Sequence, residues 1–215
     1  MNRRLAAIGT YTLRAAIVLF TLEIAVVSIL RYFTNLQAPP EPILANRFVH
    51  PFLAIHVAGG VTALLLGPLQ FVRRIRDRFP ILHRTSGRIY TIACAVGAPA
   101  GFMLALGTTS GPVAALGFAI PALLWPLFTY LGVKCAMDGG FDEHRQWMLR
   151  SYAITSNAIT LRLMLPFAGL ILHLPFSTAY PIIAWLSWMA NLALFEIYLR
   201  RTRPARVGKV TLAPA

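Results

Sequence analysis

Six stretches of this chain run long and nearly free of charge, and that property limits the fold more than any motif. They cover approximately 13–33, 50–72, 86–106, 113–136, 147–172 and 177–199. Each is long enough to cross a hydrocarbon core of about 30 Å as a helix. Inside a bilayer no water satisfies the peptide groups, so only helices or closed barrels span it. The runs are continuous rather than alternating, and about twice the length of a lipid-facing strand. The expected fold class is therefore all-α: a polytopic bundle of six transmembrane helices in one integral domain, residues 1–215, ending in a basic tail at 200–215. Spans 2–5 are expected to form its core, with spans 1 and 6 peripheral. The basic start "MNRRLAAIGTYTLR" resembles a signal peptide, but the apolar run behind it is longer than a signal core. It is expected to stay as the first span.

Composition agrees with a membrane as solvent. The chain is 57% hydrophobic and 13% charged, where soluble domains carry about 25% charged residues. The net charge of +13 is not read as a nucleic-acid footprint, because the basic residues stand in short blocks between apolar runs. With a cytoplasmic N-terminus, seventeen of the twenty Lys and Arg fall inside. Arg31 and Arg47 fall outside and Arg162 within a span. That bias predicts both termini in the cytoplasm, with the basic loops against anionic lipid headgroups. Cys94 and Cys135 have no C-x-x-C spacing and read as buried thiols. No nucleotide loop or metalloprotease motif is present, which argues against a hydrolase or an ATP-driven pump.

Ionisable side chains inside spans are costly and seek a partner or a cavity. Glu23, His56 and Arg162 are such residues. At ~1.5 Å per residue, Glu23 and Arg162 lie about 15 Å below the outer surface and His56 about 9 Å. The expectation is an outer polar cluster in which Glu23 pairs with Arg162 beside His56. A purely structural ion pair is the competing reading.

A second feature is an approximate repeat. "LHRTSGRIYTI" (82–92) and "FDEHRQWMLRSYAIT" (141–155) each place His-Arg before a later Arg and a Tyr. His83 and His144 then sit at the cytoplasmic starts of spans 3 and 5. Two imidazoles on facing helices suit the iron of a b-type haem, with Arg84, Arg88, Arg145 and Arg150 as partners for its propionates. Gly87 would leave room for the macrocycle, and Tyr90, Trp147 and Phe141 would line it. The same residues suit an anion site at two helix N-termini. They also suit plain membrane topology, which places Arg at cytoplasmic helix ends without any ligand.

At "HVAGGVTALLLGPLQF", "HRTSGRIY", "HRQWMLRSYAIT" and "ITLRLMLP" the chain resembles the DUF2306 family of bacterial multi-pass membrane proteins. The resemblance covers about residues 50–170 and implies a protein of the bacterial plasma membrane, without assigning an activity. A looser architectural similarity is to cytochrome b561, six-helix proteins with paired histidines. Span 4 here has no histidine, so one haem site is the most that similarity implies. The expected function is a haem b-binding electron-transfer component acting with quinone. The alternatives are a transporter or channel-like protein for a proton or small anion, and an assembly partner without chemistry.

Overall fold

The computed structural model describes residues 2–34 and 41–202, with side chains from residue 18 onward except at Pro42. Among these residues every regular element is a helix. In order it forms α1 (Asn2–Phe33), α2 (Glu41–Leu44), α3 (Val49–Gln70), α4 (Arg73–Arg78), α5 (Pro80–Gly107), α6 (Pro112–Met137), α7 (Phe141–Thr155), α8 (Asn157–Pro166), a π-turn (Phe167–Ile171) and α9 (Phe176–Thr202). Five segments among the described residues are long and apolar enough to cross a membrane: α3, α5, α6, α7 through the π-turn, and α9. The first expected span, 13–33, lies inside the 32-residue α1. Most of the basic tail, 203–215, falls outside the described residues. Large apolar side chains such as Leu19, Ile92, Leu123 and Leu194 stand on the outside of the bundle, as they do when lipid is the solvent.

Helix starts follow local chemistry. Pro80 and Pro112 open α5 and α6, where the missing N–H costs no helical bond. Gly111 and Gly139 adopt φ of 90° and 78° in the turns before α6 and α7. Helix α5 begins six residues earlier than the apolar run suggests, so His83 and Arg84 belong to its first turns rather than to a loop.

Helices α3 and α5 share the largest interface. Gly59 makes it possible: a Cβ there would stand 2.7 Å from the Ala93 carbonyl oxygen and 2.8 Å from the Gly97 Cα. Gly60 faces open space instead. The core joins α3, α5, α6, α7 and α9 around Tyr90, Cys94, Trp125, Tyr152 and Trp188. Thus α9 is not peripheral. Its Trp188 indole donates to the Gly117 carbonyl of α6 at 3.0 Å.

The fifth expected span is not one helix. It stops at Thr155, restarts at Asn157, and loosens into the π-turn after Pro166. Asn191 of α9 holds this break. Its amide nitrogen donates to the Ala153 carbonyl at 3.3 Å and to Ser156 Oγ at 3.2 Å, and its oxygen accepts from Thr160 at 2.8 Å.

Candidate functional site

Midway along the bundle the polar side chains close on one another. The Trp125 indole N–H donates to Thr155 Oγ1 at 2.9 Å. Thr129 donates to the Trp125 carbonyl at 2.8 Å. Between them stand Thr155–Tyr90 at 3.0 Å, Tyr90–Ser151 at 2.8 Å and Ser151–Thr129 at 2.7 Å. Since Thr129 spends its proton on the carbonyl, Ser151 donates to Thr129; the Tyr90 hydroxyl lies between Ser151 and Thr155, and Thr155 is also placed to donate to the Ser151 carbonyl at 3.1 Å. The loop begins at an N–H and ends at a carbonyl of the same residue. Every member is satisfied, as buried groups in a low dielectric require. This is a clasp on α5, α6 and α7, and it fixes Trp125 in place.

Beyond that clasp, at the end of the bundle away from the arginine-rich loops, lies a cavity of about 260 Å³. Its walls come from α1, α3, α5, α6, α7, α8 and α9, and the segment 41–48 borders it at Ile43 and Asn46. Asn46 is fixed there by donating to the Leu104 carbonyl at 2.7 Å while accepting from the Phe48 N–H at 2.9 Å. Trp125, Phe118, Tyr32 and Tyr180 supply aromatic surface, and Leu53, Val57 and Leu104 aliphatic surface. The break between α7 and α8 is part of the wall: Thr155 and Asn157 both line it.

Two of the three expected cluster residues line this cavity. His56 on α3 places Nδ1 2.9 Å from the Gly97 carbonyl oxygen, and its ring stands edge-on to Trp125 with centroids 6.4 Å apart. Gly101 gives the imidazole its seat, because a Cβ there would meet Nδ1 at 2.7 Å and Cε1 at 2.8 Å. Arg162 on α8 donates to the Ala158 carbonyl at 2.9 Å and to Ser28 of α1 at 3.1 Å. His56 is near enough to feel the Arg162 charge.

The expected Glu23–Arg162 pair is not formed. Glu23 is exposed on α1, and Arg162 meets α1 through Ser28. All seven acids of the chain are among the described residues, and none lies within ion-pairing distance of Arg162. Arg31 of α1 is near enough for the two positive charges to feel each other. A guanidinium in a spanning segment thus faces a cavity with no carboxylate supplied by the described residues. Asn157 Oδ1, in the same wall, is buried without a hydrogen-bond partner.

At the arginine-rich end, the two halves of the His-Arg repeat do approach. His83 is close enough to His144 for their charges to interact. The Gln70 amide stands 2.7 Å from Ser86 Oγ and 3.2 Å from His83 Nδ1, which gives Gln70 the partner its position demands. His144 Nδ1 donates to the Gly132 carbonyl at 2.7 Å. The arginines divide. Arg84, Arg88 and Arg145 are exposed, and Arg145 donates to Tyr198 at 3.1 Å. Arg150 pairs with Glu196, its Nη2 lying 3.2 Å from Oε2, under the face of Trp147 at 4.7 Å. Gly87 faces the Gln70 amide rather than an open slot. Tyr90 belongs to the hydroxyl clasp, and Phe141 is exposed.

The apolar runs gave no hint of Trp125, Tyr32 or Tyr180 as cavity walls. Gly101 left a trace, since Gly97 and Gly101 form a small-x-x-x-small pair on α5. A protein-family profile described as "Predicted membrane protein (DUF2306)" matches residues 53–199. No curated protein and no solved structure matches the chain.

Proposed function

The chain belongs to the DUF2306 family of predicted membrane proteins, and from that premise we propose that it is a membrane carrier for a small organic anion, held in the cavity by Arg162. The observation behind this reading is the guanidinium without a carboxylate. An Arg at the centre of a span costs about 2.5–3.5 kcal/mol on insertion scales, and such charges usually meet a counter-ion or mark a pathway. Here the counter-ion is a ligand. The helix break beside Asn157 supports the same conclusion, because discontinuous helices form the substrate sites of many carriers. The test is uptake of labelled 3-phenylpropanoate into proteoliposomes. Saturable uptake that falls at least ~10-fold in Arg162→Leu is expected. Uptake no greater than into empty liposomes overturns the proposal, and equal uptake in the variant reduces Arg162 to a structural role, as in an assembly partner without chemistry.

In this reading α1 is a sixth span, both termini are cytoplasmic, and the arginine-rich end meets anionic headgroups of the bacterial plasma membrane. The cavity then opens toward the extracytoplasmic side. In a background lacking Cys94 and Cys135, an impermeant maleimide added to intact cells is expected to label Thr109→Cys and to spare Ala205→Cys. The reverse pattern inverts the topology.

One observation favours a second reading, haem b between His83 and His144. An imidazole that gives its Nδ1 hydrogen to a carbonyl, as His144 does to Gly132, has the orientation typical of a metal ligand with Nε2 free. With Arg150 on Glu196 and Arg145 on Tyr198, propionate contacts fall to Arg84 and Arg88. The group would supply one-electron transfer, with quinone as membrane partner. A reduced-minus-oxidised spectrum with a sharp α-band, lost in His83→Ala and His144→Ala, is the expected result. A colourless, folded preparation from haem-replete cells overturns this second reading.

A further inference from the structure

We infer that the anion bound at Arg162 also carries a hydroxyl that donates its hydrogen to His56, so that the ligand class is a small, apolar hydroxycarboxylate. This rests on the carrier reading above.

The tautomer of His56 is the starting point. The Gly97 carbonyl oxygen 2.9 Å away can only accept, so Nδ1 bears the hydrogen. A neutral imidazole protonated on Nδ1 carries its lone pair on Nε2. The ring cannot turn to change this. Gly101 presses against its Nδ1 and Cε1 side, and Trp125, itself held by the hydroxyl clasp, stands across it. Nε2 has no partner among the described residues, and the ring lines the cavity.

The cavity therefore offers a cation lacking an anion together with an acceptor lacking a donor. One molecule answers both needs if it is anionic at one end and carries an O–H elsewhere. An ammonium would also donate, but it would bring a further positive charge toward Arg162, which already feels Arg31. A hydroxyl donates without that repulsion. Arg162 keeps three of its five N–H donors after the bonds to Ala158 and Ser28, enough for a two-point grip on a carboxylate. The remaining walls are mostly hydrocarbon and aromatic, with Asn46, Thr108, Thr155 and Asn157 among them. A volume of about 260 Å³ falls below the ~300–1,000 Å³ of pockets that hold drug-sized ligands, so the apolar body is small.

The test is calorimetric titration of the full-length protein in detergent with three acids of one skeleton: 3-phenylpropanoate, phenyllactate and 3-(4-hydroxyphenyl)propanoate. At least one hydroxylated acid is expected to bind ~10-fold tighter than the parent, about what one well-made hydrogen bond supplies. That preference should vanish in His56→Leu, in which the hydroxylated acids and the parent are expected to bind alike. A control independent of protein folding uses the O-methyl ether of the preferred acid, which keeps the oxygen and loses the donor. It is expected to bind no better than the parent. If the ether binds as tightly as the hydroxy acid, or if neither hydroxylated acid exceeds the parent, the inference is overturned while the anion site stands. If none of the three acids binds the wild-type protein, both fall.

Discussion

The middle of the bundle and the cavity beyond it use the same polar vocabulary to opposite ends. In the middle, Trp125, Thr155, Tyr90, Ser151 and Thr129 form a closed circuit in which each donor has an acceptor. Around the cavity, among the described residues, Arg162 has no carboxylate and His56 Nε2 has no donor. Two residues, Trp125 and Thr155, belong to both regions. A polar network that closes on itself stabilises a fold, whereas one left open next to space is arranged for something else to complete it. The comparison teaches that polarity within a span is not in itself the sign of a site. Unspent hydrogen-bonding capacity beside a cavity is.

The sharpest way to break this contrast is Arg162→Leu. Ligand uptake is expected to collapse while thermal stability holds or rises, since replacing a poorly compensated buried charge by a hydrophobic residue is often neutral or stabilising by about 1–4 kcal/mol. If the variant instead unfolds, Arg162 belongs with the clasp and the contrast fails. Next in size is Gly59→Leu. The α3–α5 interface has no room for a side chain, so a loss of at least ~1–3 kcal/mol is expected, read as a lower melting temperature in detergent. Gly101→Ala separates the regions more finely. It should displace the His56 imidazole and lower ligand affinity more than it lowers the melting temperature. The smallest effect belongs to the clasp itself: Ser151→Ala is expected to cost roughly 0.5–1.5 kcal/mol and to leave affinity within about twofold. A large loss of affinity there would mean that clasp and cavity act as one unit.

How much of this could be read beforehand follows from what each property depends on. Span existence depends on length and composition alone, so the apolar runs located α3, α5, α6 and α9 to within a few residues at most ends. The start of α5 was missed because Pro80–Arg84 are too polar to count as apolar, yet a proline suits the first turn of a helix. His56 and Arg162 were legible because charge in hydrocarbon is expensive wherever it stands. Their partner was not. Counting residues gives depth, but pairing also requires the direction around the helix. Glu23 and Ser28 are five residues apart, about 140° around α1, and it is Ser28 that faces Arg162. The break at Ser156 carries no Gly or Pro signal. It is held from α9 by Asn191, a long-range contact that no local pattern announces. The His-Arg repeat brought His83 and His144 near each other, but Arg150 and Arg145 went to Glu196 and Tyr198 on α9, and Arg84 and Arg88 stayed exposed.

The most direct test of the central claim is equilibrium binding of 3-phenylpropanoate to purified wild-type protein, Arg162→Lys and Arg162→Leu, each shown to be folded and monodisperse. The expected result is saturable one-to-one binding in the wild type, weakened in the lysine variant and absent in the leucine variant. Equal binding by the wild type and Arg162→Leu would contradict the account, because the cavity would then take its ligand without the charge said to await it.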